Sequence, residues 1–188
     1  MNPATNLILV GPMGAGKSCI GRRLALHFGL PFVDVDRQIE QGAGASIAAI
    51  FDAEGEPGFR ARERAALDNA LAADAIVLAT GGGAVLDADN RRLLHARGFV
   101  VHLDVSVEQQ LQRLSRDHTR PLLACADRED VLRDLAAGRA PLYASVSDLR
   151  FDTGDLSANA AAAQLAASLD KQWQRPAQLS ALTLEART

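Results

Sequence analysis

The stretch "GPMGAGKS", Gly11 to Ser18, follows the apolar run Leu7-Ile8-Leu9-Val10 and precedes a segment of helical period. It fits G-x-x-x-x-G-K-[ST], a loop whose glycines bring backbone N–H groups close to phosphate. Its lysine neutralises the outer phosphates, and its hydroxyl reaches Mg²⁺. Gly14, Ala15, Gly16, Lys17, Ser18 and Cys19 are therefore the expected nucleotide-binding set, with Ser18 also a metal ligand. A glycine turn before a helix would account for the glycines, but not for the added Lys-Ser or for the strand that precedes the loop.

Working outward, short apolar runs alternate with longer helical segments. Leu7 to Val10, Phe32 to Val35, Ile76 to Ala79, Phe99 to Leu103 and Leu149 to Phe151 read as strands. Five strands separated by helices predict an α/β fold with a parallel, doubly wound sheet. The segment Gly55 to Ala73 reads as one helix, since Pro57 suits a first turn and Phe59, Glu63, Ala66, Leu67, Ala70 and Leu71 recur at helical spacing. The Ala-rich segment Ser157 to Leu169 is the expected last helix. The sequence after Trp173 lacks sustained periodicity, so a body over 1–170 and a tail over 171–188 are expected.

A chain of 188 residues favours one domain, and a formal charge of −3 without a dense basic tract argues against nucleic acid as a partner. Two cysteines, Cys19 and Cys125, make no disulfide framework. The N-terminal apolar stretch is interrupted by Gly11, Pro12 and Gly14, so neither a secretory signal nor a membrane span is expected. A cytoplasmic location follows.

Three further groups carry chemistry. In "FVDVD", Asp34 and Asp36 are two apart at a strand's C-terminal end, where open α/β sheets bind ligands; the bland alternative is that Asp36 caps the next helix and Asp34 is merely solvated. In "TGGG", Gly81, Gly82 and Gly83 offer backbone to a small ligand, or simply a tight turn. Arg60, Arg120 and Arg139 each have a structural alternative: pairing with Glu63, a surface-loop charge and a helix C-terminus, respectively. Together with a phosphate loop they point to an anionic substrate. His27, His95, His102 and His118 show no metal-ligand spacing. Asp52-Ala-Glu-Gly55 loosely fits a guanine-nucleotide switch but follows no strand, and N-K-x-D is missing.

In order and spacing, "GPMGAGKS", "FVDVD", "IFDAEGEPGFRARE", "TGGGAVL", "TRPLL" and "RAPLY" resemble the shikimate kinase family across about residues 6–170. The resemblance implies a single-domain, nucleoside-monophosphate-kinase-like P-loop fold with a mobile lid at about 113–125. It implies transfer of the ATP γ-phosphoryl group to the 3-hydroxyl of shikimate with Mg²⁺, in aromatic amino-acid biosynthesis; a monomer is the expected state. Carried over, Asp36 holds the ring hydroxyls and assists deprotonation, and Arg60, Arg139 and Gly82, flanked by Gly81 and Gly83, complete the shikimate site. Asp34 holds Mg²⁺ through water. Lys17 and Arg120 act on transferred phosphate, Arg120 from the lid, and Arg113 lies over adenine. Two departures stand out: Cys19 replaces a common Thr, and the turn Thr153-Gly154-Asp155 offers no basic residue at the adenine edge. A kinase for another polyol acid such as gluconate, and a nucleotide-binding protein without transfer activity, are the alternatives.

Overall fold

β1 (Asn6–Val10) is buried along its whole length, as a central strand covered on both faces must be. A computed structural model describes residues 4–115 and 127–174 of the chain. β1 is flanked by β3 (Val77–Ala79) and β4 (Gly98–Asp104), and β2 (Phe32–Asp34) and β5 (Leu149–Asp152) form the edges. The order is β2-β3-β1-β4-β5 and every pairing is parallel. All five strands agree with the sequence reading to within a residue at each end.

Alternation along β1 divides the core. Leu7 and Leu9 pack with α1 (Lys17–Phe28) and α7 (Ala158–Gln172), while Ile8 and Val10 join α2 (Val35–Ala43), α3 (Ile47–Leu71), α4 (Ala88–Arg97) and α6 (Arg128–Val146) on the other face. Side-chain oxygens of Asp34, Ser46, Asp87 and Ser157 cap α2, α3, α4 and α7, and Ser106 caps α5 (Val107–Arg113) in a capping box. α1 instead starts on Gly16, with no side-chain cap, which leaves its first-turn N–H groups directed into the phosphate loop.

Three expectations need correction. The helix read as Gly55 to Ala73 is the second half of α3, which starts at Ile47 and is broken at Gly55, where φ is 68°. A left-handed residue of this kind suits glycine, and Pro57 follows in the new first turn as read. The anticipated stripe is present: Phe59, Glu63, Leu67, Ala70 and Leu71 are all buried. Asp34 and Asp36 do not share a strand, because β2 stops at Asp34 and Asp36 lies in the first turn of α2. The last helix also does not stop at Leu169. α7 continues to Gln172, and Trp173 is buried against Phe28, with ring centroids 5.3 Å apart and its indole N–H donating to the Ala4 carbonyl at 2.7 Å. No described helix is long and apolar enough to cross a membrane.

Candidate active site

Parallel pairing brings the C-terminal ends of β2, β3 and β1 side by side, with Asp34 opposite Ala79 and Ala79 opposite Leu9. Thr80 fastens the exit of β3 to β1 by donating its backbone N–H (3.1 Å) and hydroxyl (3.2 Å) to the Leu9 carbonyl. The phosphate loop, the aspartates and the glycine triplet thus leave the sheet along one edge, where open α/β sheets bind ligands.

A cavity of about 580 Å³ opens there, lined by Met13 of the phosphate loop, Asp36, Arg60, Glu63, Gly81, Gly82, Gly83 and Arg139, with Ile47, Phe51 and Phe59 as an apolar wall. Every residue expected from the resemblance to hold the acceptor is in that lining. A Cβ on Gly81 would sit 2.6 Å from Glu63 Oε1 and 2.8 Å from Asp36 Oδ1, so any side chain here would have to displace one carboxylate or both. Gly82 lies between the loop and Arg139: a Cβ there would be in ordinary contact with the Gly11 oxygen at 3.5 Å and Arg139 Nη1 at 3.7 Å.

Arg60 makes the pairing with Glu63 that its structural alternative describes, and it also reaches the cavity. Its guanidinium lines the cavity while donating to Glu63 at 2.7 Å and to Glu56 at 2.9 Å. Burial alone would lower the Arg60 pKa, but the two glutamates outweigh it and hold it above its ordinary value. Glu63 is buried with Oε1 lacking a hydrogen-bond partner among the described residues. Burial pushes its carboxyl up, helped by the charge of Asp36 and opposed by Arg60 and Arg139. The spacing placed Glu63 on the apolar stripe; a charge on a sheet-facing stripe was the signal that it belongs to a site. Arg139 is not at a helix C-terminus. It lies inside α6 and is buried.

On the nucleotide side, Lys17 Nζ donates to the carbonyls of Gly11 (2.7 Å) and Pro12 (2.8 Å), which draws the ammonium over the loop that Gly14, Ala15 and Gly16 build. Ser18 and the exposed Cys19 follow in the first turn of α1. Asp34 is the cap of α2, accepting from the Arg37 N–H at 3.3 Å, which reverses the bland alternative that gave capping to Asp36. Arg113 ends α5 and donates to the Gly14 carbonyl at 2.9 Å, to Thr153 Oγ1 at 3.0 Å and to the Gly154 carbonyl, joining the phosphate loop to the turn after β5. Arg120 and most of the expected lid lie outside the described residues.

Residues 13–170 match the family described as shikimate kinase. The chain belongs to the shikimate kinase family. A shikimate kinase from Stenotrophomonas maltophilia is 60% identical over 175 residues, covering 93% of this chain and 97% of that one. A solved shikimate kinase from Acinetobacter baumannii in complex with shikimate is 48% identical, with a TM-score of 0.83 over 88% of this chain and 90% of that one. The shikimate kinase structure from Bacteroides thetaiotaomicron, at 28% identity, gives a TM-score of 0.80 over 88% and 98%. As a member of the shikimate kinase family the chain is a kinase, and its five-stranded parallel sheet is that of the family.

Proposed function

We propose that this chain transfers the γ-phosphoryl group of ATP to the 3-hydroxyl of shikimate, giving shikimate 3-phosphate and ADP. The observation that carries the reading is the convergence of Asp36, Arg60, Arg139 and Gly81 to Gly83 on one cavity that shares Met13 with the phosphate loop. Two guanidiniums suit the ring carboxylate, since each offers paired donors to two oxygens. Asp36 accepts hydrogen bonds from the ring hydroxyls and takes up the proton of the reacting one. Phosphoryl transfer needs positioning and charge stabilisation above all, and Lys17 supplies charge at the outer phosphates. Arg120, from the lid, adds charge as the phosphoryl group moves, and Arg113 covers adenine.

Mg²⁺ fits the residues present. Among the described residues no three His, Cys, Asp or Glu side chains gather into a metal cage, and this ion characteristically takes one or two protein donors with phosphate oxygens and waters. The Ser18 hydroxyl and Asp34, through water, would hold it, and it would offset charge on the phosphates. The protein works as a monomer in the cytoplasm, where ATP is supplied.

A coupled assay of ADP release with ATP and Mg²⁺ tests the reading against shikimate, gluconate and nucleoside monophosphates. Turnover with shikimate alone is expected. Turnover with gluconate, or with none of the panel, overturns the proposal.

A further inference from the structure

Tyr143 belongs to the "RAPLY" stretch but has no part in the chemistry above. Its ring is buried on α6, one turn beyond Arg139 on the same face of the helix. Its hydroxyl donates to the Gly82 carbonyl at 2.6 Å. Behind it, the buried imidazole of His102 stacks on the phenol ring, with centroids 4.8 Å apart and planes 20° apart. His102 stands beside Val10 in the β1–β4 register, immediately before the phosphate loop. A line of contacts therefore runs from the sheet under the loop, through His102 and Tyr143, to the middle of the glycine triplet.

We propose that Tyr143 is a positioning residue for the acceptor, clamping the Gly82 peptide and fixing Arg139 in register with it. Three consecutive glycines are the most adaptable backbone a chain can present, so a ligand binding there has to order them. Because a trans peptide is planar, holding the Gly82 carbonyl also sets the opposed N–H of Gly83 on the other side of that peptide. Gly82, Gly83 and Arg139 all line the cavity, so one hydroxyl ties its two walls together. Burial pushes the phenol up to about 12, opposed by the neighbouring Arg139 guanidinium, so Tyr143 remains a donor across the working pH range.

The inference rests on the acceptor lying in this cavity, and Arg139→Ala serves as the reference for that placement. Tyr143→Phe keeps the ring and its stack on His102 and removes only the hydroxyl. Steady-state kinetics on the full chain should show the KM for shikimate rising about tenfold, as expected for a buried acceptor left unpaired. The KM for ATP and kcat should stay within about twofold, and Tm within about 3 °C. If Tyr143→Phe leaves the shikimate KM unchanged while Arg139→Ala raises it, the clamp is wrong and the cavity assignment stands. Equal rises in both KM values with a large fall in Tm would mean that Tyr143 is structural, which also overturns the clamp. An unchanged shikimate KM in both variants would remove the acceptor from the cavity, and the clamp with it.

Discussion

Arg60 and Glu63 are each costly to bury alone, and their 2.7 Å contact makes the pair tolerable. Arg60→Ala would take away the hydrogen-bonded partner of the buried Glu63 carboxyl and leave it only the charge of Arg139, so it should cost about 3 kcal/mol of stability as well as raising the KM for shikimate. Adding Glu63→Gln should restore part of the lost Tm but not the KM, since the guanidinium that pairs with the carboxylate of shikimate is still missing. Thermal melts and kinetics on the two variants separate the effects; full KM recovery in the double variant would show that Arg60 never touches substrate. The aspartates can be separated in the same way. Asn caps a helix about as well as Asp, so Asp34→Asn keeps the start of α2 and isolates the proposed metal contact. At saturating Mg²⁺, Asp36→Asn should lose far more kcat than Asp34→Asn. Equal losses, both relieved by more Mg²⁺, would put the two carboxylates in one metal site.

Elements were more legible than the joints between them. The buried strands were readable because short apolar runs between breakers have few other uses. The Gly55 break was not, because two helices joined by one left-handed glycine keep an almost continuous pattern, and Pro57 merely marked the second start. The glycine triplet, Arg60 and Arg139 were visible as residue types, but their meeting in one cavity depends on strand order, which local sequence does not encode. Trp173 was missed as packed because a single aromatic after a helix has no period to betray it. A chain ending at Gln174 should accordingly keep wild-type activity and Tm, whereas Trp173→Ala should cost about 3 kcal/mol. Indistinguishable melts for the Trp173→Ala variant would show that the contact with Phe28 contributes nothing.

β4 carries a pH dependence of its own. Burial lowers the pKa of His102; Asp104 opposes this, and Arg150 and Lys17 add to it. Below its ordinary value the unfolded chain binds a proton that the folded chain resists, so the contribution of neutral His102 is present above about pH 6.5 and lost as pH falls through the lowered folded value. His102→Phe keeps a ring against Tyr143 and removes the titration. Its Tm should fall less than that of wild type between pH 7.5 and 5.0, and parallel pH profiles would contradict this account.

At the scale of the whole molecule, the sheet order places three strand ends on one edge, and single side chains tie the surrounding layers to it. Arg113 links the phosphate loop to the turn after β5, and Tyr143 links α6 to the glycine triplet. The proposed function requires that the cavity beside the phosphate loop hold the acceptor by its carboxylate, through Arg60 and Arg139 in its lining. Calorimetric binding of shikimate, and of an analogue whose carboxylate is replaced by hydroxymethyl, to wild type and to Arg139→Ala tests this most directly. Wild type should prefer shikimate by about tenfold or more, and Arg139→Ala should lose most of that preference. Equal binding of the two ligands by wild type, or an undiminished preference in Arg139→Ala, would contradict it.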